Sequence, residues 1–425
     1  YSETNKPYTP KHSLPVSIKG VEKDDYAMIL GFPGSTDRYL SSWGVEQAVT
    51  LEQPKRVDVR AEKLKIMREF MDNDVAVRLK YSSKYAQVAN YWKYFIGQTE
   101  QVKNNDVIGK KQLVEADFRK YLANNKSSFD VLGAMEAYYK ATNSGINIKA
   151  YQSEFVYSVD ANLTAFRYKF LKDAWASGNE QRADMLAKRL GEISAQYFES
   201  SNADIELKTI HNVLEMYLND IPENQMGPLC IKLKAKGHKG VDMYTALIKK
   251  KSMFFDKAKF NAFNESPSLK SLEKDPLFLL IMDMNDAHSK VMGTDVLKAA
   301  KDGLNKANRL FVAGIRDMNK DKQYYPNANS TLRLTYGNVL PYEPKDAVSY
   351  DFVTTIDGVM QKEDPNVAEF NVHPIIKEVW KKKDYGQYAD KNGNLTVNFL
   401  SNNDITGGNS GSPVINGDGH LIGTA

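Results

Sequence analysis

The sequence predicts a mixed β and α protein in which a large helical insertion separates two β segments. Three observations indicate this class. Short β-favouring runs lie near the N-terminus, a long central stretch is rich in Ala, Lys, Glu, Met and Tyr but poor in Gly and Pro, and short β-favouring runs return afterwards. We therefore expect a first β segment at residues 1–46, an inserted helical domain at 47–322 and a second β segment at 323–425.

The first β segment is predicted from two short runs, residues 16–18 and 26–30, which are bounded by Gly and Asp turns. The second segment contains five such runs: residues 332–336, 353–359, 395–400, 414–415 and 421–422. Residues 390–394 and 416–419 carry Asn, Asp and Gly, which supply the positive φ angles that tight hairpins require.

The helical insertion is predicted from apolar residues that recur at helical spacing. Leu207, Ile210, Leu214 and Tyr217 form one such stripe, which indicates a helix that packs against its neighbours. Further predicted helices span residues 61–71, 113–122, 155–174 and 294–317. The aromatic stretch at residues 90–95 could be core or a substrate-binding wall, and its periodicity favours core.

Composition excludes several classes of protein. The chain has 425 residues with 57 Lys and Arg against 53 Asp and Glu, a balance that argues against nucleic-acid binding. No run of apolar residues is long enough for a membrane span. The single cysteine, Cys230, excludes an internal disulfide.

The most informative motif is T-G-G-N-S-G-S-P-V at residues 406–414, where Ser410 lies among glycines between two β runs. A serine nucleophile needs backbone N–H groups directed at the developing oxyanion, and Gly408 and Ser410 would supply two of them. The motif is typical of trypsin-like double-barrel peptidases and differs from the G-x-S-x-G elbow of α/β-hydrolases. The alternative interpretation is a glycine-rich turn with an inert serine.

A serine nucleophile also needs a base, but none of the six histidines has the sequence setting of a catalytic one. In chymotrypsin-type order the His and Asp precede the Ser, and residues 1–46 are too few for a whole barrel. We therefore expect the first barrel to begin upstream of Tyr1 and the specificity pocket to extend beyond Ala425. Residues 211–215 and 283–288 lack metal-binding patterns and are predicted as solvated helix faces, so no metal and no cofactor is expected.

Six motifs together resemble one family: residues 31–34, 38–40, 65–69, 90–93, 326–337 and 406–414. Over its whole length the sequence resembles the bacterial dipeptidyl-peptidase 7 and dipeptidyl-peptidase 11 family of serine exopeptidases. The resemblance implies a chymotrypsin-like double β-barrel, here partial, with an inserted α-helical domain that caps the cleft. It also implies release of dipeptides from the free N-terminus of oligopeptides.

The resemblance gives roles to individual residues. It implies that Ser410 is the nucleophile, that the N–H groups of Gly408 and Ser410 form the oxyanion hole, and that Asn90 binds the α-amino group of the substrate. It further implies a homodimer in the periplasm or on the cell surface of a Gram-negative bacterium. Residues 419–425 are more similar to the dipeptidyl-peptidase 7 branch, which implies an apolar P1 preference.

Two other functions remain open on the sequence. One is a catalytically inactive scaffold or peptide-binding protein that keeps the fold as an interaction surface. The other is a trypsin-like endopeptidase, which would also cleave substrates with a blocked N-terminus.

Overall fold

The structure is a computed structural model that describes residues 3–125, 128–367 and 369–425. The chain divides into two compact units. A helical unit comprises Tyr39–Gln323, and a β unit comprises Tyr1–Arg38 together with Tyr324–Ala425.

The helical unit contains fifteen α-helices in its described residues. They are α1 (Ser42–Gln47), α2 (Gln53–Asn73), α3 (Val75–Asn104), α4 (Val107–Asn125), α5 (Val131–Asn143), α6 (Ile146–Tyr151), α7 (Asp160–Ala176), α8 (Glu180–Ser200), α9 (Ala203–Asp220), α10 (Pro228–Lys234), α11 (His238–Lys251), α12 (Lys257–Glu265), α13 (Leu269–Leu272), α14 (Pro276–Met292) and α15 (Asp295–Met318).

Several of these helices begin at a side chain that caps the first turn. Asp74 accepts hydrogen bonds from the N–H groups of Ala76 and Val77 at 2.7 and 3.2 Å, which fixes the start of α3. Asn202 caps α9 and Asp275 caps α14 in the same way. Such caps satisfy backbone donors that have no partner inside the helix, so they define where each helix starts.

The core of the helical unit is rich in fully buried aromatic rings. Tyr168 of α7 meets Phe254 edge-on with ring centroids 5.3 Å apart, and Tyr217 of α9 meets Tyr151 at the same separation. Edge-on contacts of this kind favour one packing arrangement over others. Cys230 is buried in the same core, and burial raises the pKa of its thiol well above the ordinary value, which indicates a structural role.

The helical unit also buries a carboxylate, Glu206 of α9. Its Oε2 accepts a hydrogen bond from Ala161 N–H at 2.9 Å, and its Oε1 accepts one from the Tyr81 hydroxyl at 3.3 Å. Burial, followed by the nearby charge of Asp160, raises the pKa of this carboxyl from 4.5 to about 7.

We expect Glu206→Gln to stabilise the protein at pH 8 but not near pH 4.5. Because the folded pKa is raised, the wild-type folded state holds a proton that the unfolded state has released, so stability falls as pH rises from 4.5 to about 7. Because glutamine does not titrate, the free energy of unfolding of the variant should not fall over this pH range. Its side-chain oxygen can still accept a hydrogen bond from Ala161 N–H. The gain at pH 8 should be about 2–3 kcal/mol in urea unfolding.

The control for this substitution is Glu199→Gln, which changes an exposed carboxylate near the end of α8. It should leave the pH dependence of unfolding as in the wild type. Equal pH dependence in the wild-type and Glu206→Gln proteins would contradict a buried, proton-holding Glu206.

The β unit contains eight strands and two helices in its described residues: β1 (Tyr26–Gly31), β2 (Arg333–Asn338), β3 (Tyr342–Lys345), β4 (Val348–Tyr350), β5 (Val353–Thr355), α16 (Ile356–Gln361), α17 (Pro374–Lys382), β6 (Thr396–Phe399), β7 (Pro413–Ile415) and β8 (Leu421–Thr424). One sheet has the order β2-β1-β7-β8, and β3-β4 and β5-β6 form two smaller sheets.

The four-stranded sheet joins the two ends of the chain. β1 pairs antiparallel with both β2 and β7, and Ile29 lies opposite Thr335 on one side and Val414 on the other. Ala27, Ile29 and Val414 are buried and form the centre of a small core. The pairing places the loop that precedes β7 beside the end of β1.

The structure differs from the predicted strands at residues 16–18 and 353–359, and it contains two strands, β3 and β4, where none was predicted. Residues 16–18 make only an isolated bridge, Val16 with Leu421. The strand predicted at 353–359 ends at Thr355, where α16 begins and Asp357 accepts a hydrogen bond from Trp380 of α17. That contact with a helix distant in sequence overrides the β propensity of the run. The mixed β and α class is confirmed, while the double-barrel arrangement stays a prediction.

Candidate active site

The candidate site is the loop between β6 and β7 that carries Ser410. The N–H of Asn409 donates to Thr406 O at 3.1 Å, and Ser412 N–H donates to Asn409 O at 2.8 Å. Asn409 is buried, whereas Ser410 is exposed to solvent. The turns therefore anchor the loop through Asn409 and present the hydroxyl of Ser410 to solvent.

Gly408 holds the loop in a conformation that no other residue fits. Its φ is +106°, in the region that favours glycine. A Cβ at this position would lie 2.4 Å from Phe32 O and 2.7 Å from Gly34 N. Next to it, Gly407 O accepts a hydrogen bond from Gly34 N–H at 2.7 Å. The segment after β1 therefore packs directly on the backbone of the loop.

Some backbone N–H groups of the loop are hydrogen-bonded and others are not. Asn409 N–H donates to Thr406, and Gly411 N–H donates to Ala425 O at 2.8 Å. Among the described residues, neither Gly408 N–H nor Ser410 N–H has an acceptor. The loop thus offers two backbone donors to a ligand beside an exposed serine hydroxyl, as stabilisation of an oxyanion requires.

The end of β1 packs against the same loop. A Cβ added to Gly31 would lie 2.4 Å from Asn409 Oδ1 and 2.6 Å from Ser412 Oγ. Only the absence of a side chain at Gly31 permits this approach. The site is consequently built from chain segments on both sides of the helical insertion.

Further hydrogen bonds join the segments around the loop. Asn327 Oδ1 accepts from Arg38 N–H at 2.9 Å, and the Arg38 guanidinium pairs with Asp404. Ser330 N–H donates to Pro33 O at 2.9 Å. Residues from the motifs at 31–34, 38–40 and 326–337 therefore meet next to the serine loop within the β unit.

Asn90 lies on α3 in the helical unit, exposed, and its side chain makes no hydrogen bond to any described residue. The aromatic residues that follow Asn90 on α3 differ in their exposure to solvent. Phe95 is buried under the guanidinium of Arg56, whereas Tyr91 and Tyr94 are 55% and 49% exposed. The prediction that this stretch is core is correct for Phe95 and wrong for the two tyrosines. The Asn90 amide is available to a ligand.

Comparison with known proteins identifies the family. The model of the family described as Peptidase S46 matches residues 1–425. The chain belongs to the peptidase S46 family. The match includes every motif that lies near Ser410 in the β unit.

Relatives of this S46 chain include named dipeptidyl-peptidases. It is 38% identical over 433 residues to dipeptidyl-peptidase 7 of Porphyromonas gingivalis, covering 100% of this chain and 59% of that protein. It is 34% identical over 433 residues to an Asp/Glu-specific dipeptidyl-peptidase of Flavobacterium psychrophilum, covering 100% of this chain and 59% of that protein. The chain thus spans about three fifths of the length of these curated relatives.

The fold is similar to that of a solved bacterial protein. A crystal structure of Porphyromonas endodontalis DPP11 in complex with the dipeptide Arg-Glu superposes with a TM-score of 0.85 at 26% identity. The match covers 100% of this chain and 61% of that one.

The β unit of the S46 chain contains three histidines, His12, His373 and His420. His12 is in an exposed N-terminal segment, and His420 N–H donates to Asn416 Oδ1. His373 precedes α17 and caps it, since its Nδ1 accepts a hydrogen bond from Ile375 N–H at 3.3 Å. Among the described residues, no histidine hydrogen-bonds to Ser410.

Sequence reasoning missed one cluster in this S46 chain. Residues 211–215 were predicted as a solvated face, but His211 of α9 lies beside His238 and Asp242 of α11. His238 is the first residue of α11. The hydrogen bond that His238 donates to Glu215, followed by the charge of Asp242, raises the pKa of the His238 imidazole. A possible signal was the repeated i, i+4 spacing of a histidine and a carboxylate on two helices.

Proposed function

We propose that the protein is a serine dipeptidyl-peptidase that releases dipeptides from the free N-terminus of oligopeptides through an acyl-enzyme on Ser410. The observation that carries the proposal is the exposed Ser410 hydroxyl beside two unpaired backbone donors, in a loop that Gly408 holds at positive φ. The names of the dipeptidyl-peptidase relatives support the same reaction.

In the proposed reaction, Ser410 Oγ attacks the carbonyl carbon of the second residue of the substrate. The hydroxyl proton passes to a general base, a role that histidine takes in peptidases of this type. The N–H groups of Gly408 and Ser410 donate to the oxyanion of the tetrahedral intermediate. Collapse breaks the C–N bond, the leaving amine takes up the proton, and water then hydrolyses the ester to release the dipeptide.

An exopeptidase must also fix the distance between the substrate's amino terminus and the scissile bond. We propose that the side-chain oxygen of Asn90 accepts a hydrogen bond from the substrate's α-ammonium. Its exposure and its unused hydrogen-bonding capacity among the described residues support this role. Binding of the α-ammonium at a fixed position determines which carbonyl carbon lies next to Ser410, because the reacting groups must be held at a defined distance.

Digestion of an unmodified oligopeptide by the protein as made from its complete gene tests the proposed function. Mass spectrometry should show successive loss of two residues from the N-terminus. Cleavage at internal bonds would instead identify a trypsin-like endopeptidase, and an unchanged peptide that stays bound would identify an inactive peptide-binding protein.

We expect Asn90→Ala to lower kcat/KM for dipeptidyl amides with a free N-terminus. A hydrogen bond to a charged group is worth about 1.5–3 kcal/mol, which corresponds to a loss of roughly 10- to 100-fold. Steady-state hydrolysis of fluorogenic dipeptidyl amides measures this loss.

The matched control is Asn104→Ala, which removes another exposed asparagine from α3. It should leave kcat/KM within about twofold of the wild type. The assigned role of Asn90 would be wrong if both variants behaved alike.

Other expectations remain predictions. The helices in the described ranges include none that is both long and apolar enough to cross a bilayer. The periplasmic location and the homodimer rest on the family resemblance alone. The apolar P1 preference is likewise untested, because relatives with either kind of name match at similar identity.

A further inference from the structure

Two neighbouring helices of the helical unit bring together a cluster of histidines and carboxylates. His211 and Glu215 lie one turn apart on α9, and His238 and Asp242 lie one turn apart on α11. Residues four apart share a helix face, so each helix presents one imidazole and one carboxylate to the other. The two imidazole ring centroids are 5.5 Å apart.

The spacing of the cluster fits a metal ion. One ligand atom from each of His211, His238 and Asp242 lies within 4.8 Å of the other two. Asp242 Oδ1 is 2.8 Å from His211 Nε2 and 3.7 Å from His238 Nε2. Ligands about 2.1 Å from a tetrahedral Zn²⁺ are about 3.4 Å apart, which lies between these two distances.

The second nitrogen of each ring is already engaged. His238 Nδ1 lies 2.6 Å from Glu215 Oε1, and His211 Nδ1 lies 2.9 Å from Asn212 Oδ1. Both oxygens accept hydrogen bonds, so each holds a proton on Nδ1. His211 Nε2 also donates to Asp242 Oδ1 at 2.8 Å, so a metal ion bound there would displace that proton to solvent. Metal-binding histidines are oriented in this way, by a carboxylate or carbonyl oxygen on the other nitrogen.

We propose that His211 Nε2, His238 Nε2 and Asp242 Oδ1 bind a Zn²⁺ ion that links α9 to α11, with water completing the coordination. A set of two imidazoles and one carboxylate suits zinc better than Mg²⁺ or Ca²⁺, which prefer oxygen ligands. The side chains of Asp242 and His238 are 53% and 63% exposed, so the ion can enter from solvent. The site is independent of the serine chemistry proposed above.

Titration calorimetry of the metal-free protein with ZnCl2 tests this site. We expect one bound Zn²⁺ in the wild type and at least a tenfold weaker affinity in His238→Gln and Asp242→Asn. Glu215→Ala, which removes only the carboxylate that orients His238, should weaken binding by roughly 10- to 100-fold. His12→Gln, which removes an exposed histidine of the β unit, should bind Zn²⁺ as the wild type does.

Thermal unfolding supplies a second readout. Zn²⁺ should raise the Tm of the wild type and of His12→Gln, because a ligand that binds only the folded state stabilises it. It should not raise the Tm of His238→Gln or Asp242→Asn, whose metal-free Tm verifies that they fold. Absence of Zn²⁺ binding in the wild type, or undiminished binding in both variants, would overturn the proposal and leave the cluster as a set of ion pairs.

Discussion

Ser410→Ala is expected to lower kcat/KM for dipeptidyl amides by roughly 10⁴-fold or more, the loss typical of a missing serine nucleophile. The methyl group cannot form an acyl-enzyme. Only the residual catalysis that the backbone donors of the loop and substrate binding supply would remain. The substitution removes one exposed oxygen, so the fold should persist. Steady-state kinetics together with circular dichroism measure both effects.

Ser412→Ala is the matched control, because the same loop carries a second serine two residues later. Ser412 N–H donates to Asn409 O, and its side chain lies against the end of β1 at Gly31. We expect kcat/KM within about tenfold of the wild type. An equal loss in both variants would mean that the loop, and not the Ser410 hydroxyl, determines activity.

Gly408→Ala is expected to lower kcat/KM by roughly 10²–10³-fold, the loss associated with one oxyanion-hole donor. Alanine is strained at a φ of +106°, and its Cβ would lie 2.4 Å from Phe32 O. The loop must therefore move away from the end of β1, which displaces the N–H groups of Gly408 and Ser410. Kinetics and Tm should be measured on the same preparation.

The adjacent glycine provides the control for this substitution. Gly407 is not among the glycines at positive φ, and a Cβ there would meet nothing within 4 Å. Gly407→Ala should keep kcat/KM within about fivefold of the wild type. If Gly408→Ala were equally active, the backbone conformation at Gly408 would not matter to the reaction.

Local chemistry explains why much of the fold could be predicted. The stripe of Ile210, Leu214 and Tyr217 is buried on α9, as helical spacing indicates. β1 and β7 coincide closely with predicted runs because β-branched residues between turns favour strands. Their pairing could not be predicted, since the register between Ile29 and Val414 depends on packing across the helical insertion.

The candidate sites also differ in whether they depend on neighbouring residues or on the packing of distant segments. Ser410 and Gly408 could be predicted because a short motif contains both the hydroxyl and the glycine that its loop requires. The cluster of His211, His238 and Asp242 could not, because it exists only where α9 and α11 pack together. The segment after Thr355 was assigned wrongly for a similar reason, since the contact of Asp357 with Trp380 stabilises a helix there.

The proposed activity requires a free substrate N-terminus, cleavage after the second residue and the Ser410 hydroxyl as nucleophile. Hydrolysis of paired fluorogenic dipeptidyl amides, each with a free and a blocked N-terminus and with apolar or acidic P1 residues, tests it most directly. We predict cleavage of the free substrates, none of the blocked ones and none of either by Ser410→Ala. Equal cleavage of blocked and free substrates would contradict the account.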